Sequence, residues 1–518
     1  MKFLEEEHER QKELINEKFL EELNATFYKE IIGRNMVELV EMDSGVKNML
    51  EGQKYDELKN LYELFKYYKP SLEEISKIFI LYIIKRGEEL RKNKEISKIP
   101  QKFVPQLIYL HNEINNIVKD FFKNNIILQA AKITGFTQFM EKDYYSKQLA
   151  IYLDFYMRIG MKGKSEEEIN QEFDNIIELF KHLDHKYIFK EECNRLLTYR
   201  LLKDASYSIT SENNFVKKLK QESMELVENM APMLNDLERS IKKQQQYKES
   251  YSRGIIDGIE FNVKMFSYSC WNIDPIYLLD IKLPKIFSSC VKDFKYFFSR
   301  NNNPIKFTWW FYFSKLKIQY LYLNKNYQSI STLPQVLILI ELEKNKILSI
   351  KALAENLNVN NIIIKEAIDG LIYNKTFNPN HDSSKGVIIS ITPPSSGDFN
   401  DKDEFKINEN FVYERLQFNT IPIPRKKTEE QIKKEEEFSA EQFKKYRDSI
   451  IQSNIGRIMK SRNGLVTTHN GLINETAKQI EDKFKVQQNI IKDNIDKLIK
   501  DEVIKKDEKN KGCYIYSN

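Results

Sequence analysis

From residue 55 to about 250 of this 518-residue chain, apolar side chains recur every three or four positions with little to interrupt them. Leu58, Leu61, Leu64 and Phe65 are followed by Ile75, Ile78, Phe79, Tyr82 and Ile83, and later by Leu149, Leu153 and Tyr156. Ile176, Ile177 and Phe180 continue the pattern, then Phe189, Leu196, Leu197 and Leu201. That spacing draws one apolar stripe along each helix, and stripes of this kind are buried by packing against one another, so antiparallel amphipathic helices are predicted. Pro70, Gly87 and Pro100 mark breaks. With only 16 glycines and 13 prolines in the chain, long helices are favoured over a sandwich of short strands. We read residues 1–130 as a helical repeat and 131–253 as a four-helix bundle, within a chain too long for a single core.

The texture changes near residue 254. GIEFNVKMF, and then KFTWWFYFSKLKIQYLYL from Lys306 to Leu323, are rich in aromatic and β-branched residues. The second alternates in places with a period of two, so a small α/β segment with a sheet is expected over 254–330. Further on the chain repeats itself: VNNIIIKEAIDGLI, ending at Ile372, and VQQNIIKDNIDKLI, ending at Ile499, superpose at a constant offset of 127 residues. Each copy follows another helical pattern, Ile350 to Leu357 and Leu472 to Phe484, and after the second come VIKK and CYIYS, which suit a two-stranded wing. Helix-turn-helix followed by a hairpin describes a winged helix, so 331–424 and 447–518 read as two such domains. Between the copies, TPPSSGDFNDKDEF reads as a loop. The charged run RKKTEEQIKKEEEFSAEQFKKY has too few apolar residues for a core, so 425–446 is read as a linker that tethers the last domain flexibly.

Composition narrows the function classes. The 81 basic and 76 acidic residues leave +5, too small a surplus on this length for a strong long-range field toward nucleic acid. Cys193, Cys270, Cys290 and Cys513 form no CxxC pair, and the sequence carries no amino-terminal signal peptide and no apolar run of membrane-spanning length, so a soluble protein of a reducing compartment is expected. There is no glycine-rich phosphate loop, G-x-S-x-G elbow, H-E-x-x-H or catalytic cysteine signature. His182 and His185, with Asp184 between them, lack a third convergent ligand and are read as surface histidines. No metal and no cofactor are expected, and the chain is read as non-catalytic.

One stretch, IIQSNIGRIMKSRN at 450–463, displays a lysine. On a helix at about 100° per residue, Ile455 and Ile458 fall within about 40° of Ile451 and Met459 within about 80°, while Lys460 lies about 180° away, beside Arg457 and Ser461. The pattern buries the first four and exposes Lys460. Exposure by itself marks only a solvated lysine.

The same stretch, RDSIIQSNIGRIMKSRN, resembles the segment of cullins in which I-V-R-I-M-K carries the lysine that receives a ubiquitin-like modifier. Ile455, Arg457, Ile458, Met459 and Lys460 match, Gly456 replaces the valine, and Arg462 follows in the motif's context. Upstream, KYIFKEECNRLLTYRLL and SENNFVKKLKQES resemble the cullin homology core through Phe189, Arg200, Leu201, Leu202, Lys218, Leu219, Lys220, Gln221 and Glu222. Ser223 and Met224 replace the usual Cys-Gly, and Tyr199 stands where lysine is common, as in a divergent member.

The resemblance implies a mainly α fold: a helical cullin repeat followed by a globular cullin-homology region of four-helix bundle, small sheet and two winged helices. It implies a scaffold subunit of a cullin-RING E3 ubiquitin ligase in cytoplasm and nucleus, serving ubiquitin-dependent protein degradation and regulated by neddylation of Lys460 through an isopeptide bond. Its partners would be a RING-box protein, a ubiquitin-conjugating enzyme held through that subunit, and the modifier. The RING-box protein would add a strand near 306–323 and 414–418, with Trp309, Trp310, Leu321 and Leu416 as contacts; ordinary core packing is the plainer role for at least one tryptophan. Arg200, Lys217, Lys218 and Lys220 would form either a basic surface that attracts the conjugating enzyme or a solvated helix face. The adaptor-docking repeats that cullins carry ahead of this one are expected to be missing. Alternatives are a cullin-like subunit of an anaphase-promoting type ligase and a winged-helix nucleic-acid binder, the latter opposed by Asp493, Asp496 and Asp501 among Lys492, Lys497 and Lys500.

Overall fold

The computed structural model describes residues 26–516 apart from 27, 35, 43–44, 251–254, 257, 268, 272, 274–276, 302–305, 322, 324, 375–376, 379–381, 383, 392–398, 422–446, 462–466, 481–485, 508–509 and 511. The linker read at 425–446 and Arg462 therefore lie outside the described residues, as does most of the proline-rich loop. Two compact units emerge: one takes residues up to Leu197, Ser206–Glu228 and those from Phe438 on, the other Thr198–Ala205 and Asn229–Glu437. The fold is mainly α, as the periodicity requires, with four small sheets among the described residues.

In the first unit the main helices are α1 (Tyr55–Phe65), α2 (Lys69–Lys92), α3 (Pro100–Asn116), α4 (Ile126–Phe139), α5 (Asp143–Phe155) and α6 (Glu166–Lys181). α7 (Lys186–Leu202), whose residues from Thr198 on belong to the second unit, and α8 (Ile209–Glu222) follow. Pro70 and Pro100 stand in the first turns of α2 and α3, where a missing N–H costs nothing. Gly87 is no break. It lies inside α2 because the ring of Phe139 on α4 leans on it: a Cβ there would sit 2.5 Å from that ring. Gly135 on α4 receives Ile83 in the same way, at 3.0 Å. Helix interiors normally avoid glycine, so these two positions record a close approach of helix axes. α6 begins with a reciprocal capping box between Ser165 and Glu168, which fixes its start.

His182 is not on the surface. It is 5% exposed at the end of α6, with its Nε2 3.3 Å from Nε2 of His111 on α3 and its ring stacked on Phe136. Asn115 contacts Nδ1 of His111 and accepts from Lys132. No group of three metal-ligating side chains occurs among the described residues. His185 is half-buried, against Asp143 and Asp184.

The second unit holds α9 (Met230–Ser250), the short hairpin β1 (Ile255–Ile256) and β2 (Ile259–Glu260), and α10 (Lys285–Asn301). A three-stranded sheet follows, in which β3 (Lys315–Gln319) pairs antiparallel with β4 (Gln328–Thr332). β4 in turn pairs parallel with the later β8 (Gln417–Asn419). Its inner face carries a buried hydroxyl chain, Tyr320 to Ser329 to Ser331 to Thr420, which ends on Gln335. Gln335 opens α11 (Leu333–Asn345). With α12 (Ile350–Leu357), α13 (Asn361–Tyr373) and the sheet β5 (Leu348–Ser349), β7 (Glu404–Ile407), β6 (Ile388–Ser390), α11 makes a winged-helix arrangement around one apolar core.

The last part of the chain repeats that arrangement: α14 (447–461), β9 (Thr467–Thr468), α15 (His469–Ile480), α16 (Gln488–Lys500), β10 (Ile504–Lys506) and β11 (Cys513–Tyr516). α13 and α16 start and stop at positions related by the same 127-residue offset as the sequence repeat. The wing is a hairpin of β10 and β11, with β9 added as a third strand.

Two glycine substitutions should move stability in opposite directions. Gly87→Ala forces a methyl into the Phe139 ring and should lower unfolding free energy by about 2 kcal/mol. Gly456→Ala, whose Cβ would meet nothing within 4 Å among the described residues, should raise it by about 0.5–1 kcal/mol by removing a helix-interior glycine. Chemical denaturation of both variants checks the pair. The buried histidines make a second prediction. Burial, then Lys132, pushes His111 down to about 4, and burial, then His111, pushes His182 down to about 3. Both are neutral when folded and protonate in the unfolded chain near pH 6.5. Their contribution is present above that pH and is lost as pH falls toward 3–4, at about 1.4 kcal/mol per pH unit for each proton taken up. His182→Leu should flatten the fall in melting temperature between pH 6.5 and 4.5.

Candidate modification and docking sites

α14 is built to show one face. Ile451, Ile455, Ile458 and Met459 are all at most 2% exposed and share a core with Leu472, Ile473, Ile491, Ile495 and Tyr514. Asp448 and Gln452 fix the helix to α16. The amide of Asn494, fully buried, donates to Asp448 at 2.8 Å and accepts from Gln452 at 2.9 Å, and Lys497 pairs with Asp448 at 2.5 Å. Arg457 binds the other neighbour, donating to Gln479 of α15 at 3.0 Å and to Asn454 at 2.8 Å. Lys460 then projects from a helix held on two sides. It is exposed, and its amine makes no ion pair or hydrogen bond among the described residues. Ser461 beside it is turned back onto the carbonyl of Ile458. The site supplies an accessible amine on a rigid support and nothing that would activate it, as suits an acceptor whose partner carries the reactive bond.

The two recognition-type helices are otherwise engaged. In α13, Asp401 holds both Lys365 at 2.7 Å and Asn361 at 2.8 Å. In α16, Lys497 is taken by Asp448, and exposed Lys492 and Lys500 alternate with exposed Asp493, Asp496 and Asp501. A helix that reads a groove needs its cations turned to phosphates; here they are neutralised locally.

The expected RING-contact residues are only partly strand residues. The alternating pattern from Lys306 on yields a strand only at Lys315–Gln319, because 311–313 forms a single turn of 3-10 helix. Trp309 and Trp310 precede that turn and do not occupy opposite faces of a strand. Both are half-buried in aromatic clusters, Trp309 against Phe294 and Phe311 and Trp310 against Phe266 and Trp271. Both indole N–H groups are buried without a partner among the described residues. Leu321 and Leu416 are exposed, at 85% and 53%, and Leu416 accepts through its carbonyl from the amide of Gln328, which begins β4. The basic group does not form as expected. Arg200 is 5% exposed and belongs to the interior, and Lys218 is paired with Asp174; Lys217 and Lys220 are exposed on α8. Arg200 follows Leu196 and Leu197 by four and three positions, within the apolar spacing of α7, but its charge made it read as surface.

Sequence reading missed Asp236 of α9. This carboxylate, 4% exposed, accepts from Nε1 of Trp271 at 2.9 Å and from the amide and hydroxyl of Ser267 at 2.8 and 2.9 Å. A signal was present in the polar residues of α9 at four-residue intervals, Asp236, Ser240, Gln244 and Lys248, which looked like a solvated face.

Models of known families match most of the chain: a cullin alpha solenoid domain over residues 1–244, a cullin alpha+beta domain over 265–411 and a cullin protein neddylation domain over 446–510. Among similar proteins, Cullin-3A of Arabidopsis thaliana is 25% identical, covering 99% of this chain and 68% of its own length. Cullin-1 of Oryza sativa subsp. japonica is 26% identical, covering 94% and 65%. Cullin-3 of Dictyostelium discoideum is 23% identical, covering 99% and 69%. The chain spans about two thirds of the length of these relatives. With its helical solenoid, α+β region and terminal neddylation domain each matched in order, the chain belongs to the cullin family.

Proposed function

We propose that this cullin is the scaffold of a RING-type ubiquitin ligase and that Lys460 is its point of control. The observation that carries the reading is a lysine, without a partner among the described residues, displayed on a braced helix inside a cullin neddylation domain. A scaffold accelerates transfer by holding a RING-box protein and its charged conjugating enzyme beside a substrate, so that a bimolecular encounter becomes an oriented one. It needs no catalytic group or cofactor of its own.

At Lys460 the deprotonated amine attacks the thioester that links the modifier to its carrier enzyme. The carbon–sulfur bond breaks, the thiolate leaves, the nitrogen loses a proton to solvent, and an isopeptide bond joins modifier to lysine. The attached modifier is a folded body in place of a point charge, and it biases the ligase toward its active arrangement. The RING-box protein docks by strand addition in the α+β region, with Leu321 and Leu416 as exposed apolar contacts. Cytoplasm and nucleus are the compartments in which such a scaffold works. The matched neddylation domain weighs against an anaphase-promoting type subunit, and the neutralised helices α13 and α16 weigh against a nucleic-acid binder.

In a reconstitution with RING-box protein and the modifier cascade, intact mass should show one added modifier on the wild type and none on Lys460→Arg. Charge is kept in that variant while the acceptor chemistry is lost. An equal gain of mass in both would remove Lys460 from the account.

A further inference from the structure

Asn494 of α16 is fully buried, on the same helix face as the core residues Ile491 and Leu498. Its amide is fully engaged. Nδ2 donates to Asp448 at 2.8 Å and to the carbonyl of Ile490 at 2.9 Å, and Oδ1 accepts from Gln452 at 2.9 Å. Asp448 and Gln452 are four residues apart on α14, so they stand on one side of it about 6 Å apart along the axis. Asn494 therefore grips that helix at two points. The first winged helix packs without such a grip. At the 127-residue offset the position of Asn494 is taken by Ala367, 3% exposed, and there Gln335 of α11 reaches the backbone carbonyl of Ala367 instead. The side-chain hub belongs to the copy inside the matched neddylation domain, the copy that displays Lys460.

Apolar contact has no direction. Ile451, Ile455, Ile458 and Met459 decide which side of α14 is hidden, but a small turn about the helix axis would keep them all buried. Two hydrogen bonds to one rigid amide do not survive that turn, because their strength falls steeply as donor and acceptor lose alignment. A polar group retained in an apolar core sets register where an apolar one would serve stability as well. The link on the other flank, Arg457 to Gln479, is exposed at both ends and holds the helix less firmly. Lys460 lies eight residues beyond Gln452, about 12 Å along the axis, and the continuous helix carries the orientation to it. At a side-chain radius of about 5–6 Å, a turn of about 20° moves a surface group by about 2 Å.

We propose that Asn494 is a positioning residue for the modification of Lys460: through Asp448 and Gln452 it sets the rotation of α14, and with it the direction in which the amine leaves the domain. This rests on the reading that Lys460 is the acceptor. Asn494 touches neither the modifier nor its carrier, and it acts only through the helix it grips. An attacking amine must meet the thioester carbon in line and at contact distance, and a misplacement of about 1 Å can cost about a hundredfold in rate. Encounter with the carrier is unaffected by so small a turn, so the effect falls on the transfer step and not on binding.

The test is single-turnover transfer from the charged carrier enzyme to the full chain with its RING-box protein, read by intact mass, together with a melting curve for each variant. Asn494→Ala installs the residue that the first winged helix carries at this position, and it should slow transfer at saturating chain by about tenfold or more while the half-saturating concentration stays within about twofold. Gln452→Ala removes one of the two grips from a half-buried position and should slow transfer severalfold. Ile495→Val is the control: it removes a methyl from the same core, lowers the melting temperature without touching the hub, and should transfer at the wild-type rate. Wild-type transfer by Asn494→Ala and Gln452→Ala, or an equal loss of rate in Ile495→Val, would overturn the positioning role while leaving Lys460 as the acceptor. Absence of the modifier from the wild-type chain would overturn the acceptor reading on which the role rests.

Discussion

Burial of one stripe per helix is the constraint on which the rest of this molecule depends. An amphipathic helix has a hidden side fixed by its apolar residues, and its opposite side is then presented with no further instruction. In α14 the hidden side is Ile451, Ile455, Ile458 and Met459, and the side left over carries Lys460. Asn494, Asp448, Gln452 and Lys497 on one flank and Arg457 with Gln479 on the other keep the helix from turning about its axis. The position of the lysine is thus a product of core packing rather than of any group that touches it.

The α+β region solves a different problem with the same economy. Backbone outside any strand can be satisfied by side chains of a helix whose polar residues recur at four-residue spacing, and α9 does this for residues 261–267 with Asp236, Ser240 and Gln244. The hydroxyl chain from Tyr320 to Gln335 then secures the parallel pairing of β4 with β8 from beneath. Buried polar networks of this kind hold a unique arrangement only when each member is satisfied. Trp309 and Trp310 stand apart from that network, with buried indole donors that find no acceptor among the described residues.

Helical periodicity made the first unit legible before any coordinates, and the internal repeat announced the two winged helices to the residue, because α13 and α16 inherit their ends from the same duplicated segment. Lys460 was legible for the reason given above: a four-residue apolar set determines which side is out. What escaped depended on contacts between segments distant in sequence. Gly87 read as a break because the ring of Phe139 that needs the space lies 52 positions away. His182 read as exposed because its partner His111 comes from another helix. Arg200 looked like surface charge because most arginines are. The strand pattern after Lys306 overreached, since aromatic residues that favour a strand also favour the packed turn found at 311–313.

We propose that Lys460 is presented for modification by geometry alone. Peptide mapping of the reconstituted, modified protein tests that most directly, since every lysine of the chain competes for the same carrier enzyme. An isopeptide-linked remnant at Lys460 is expected, with negligible signal at exposed Lys217, Lys220, Lys492 and Lys500. Comparable modification of those lysines, or a remnant that avoids Lys460, would contradict it.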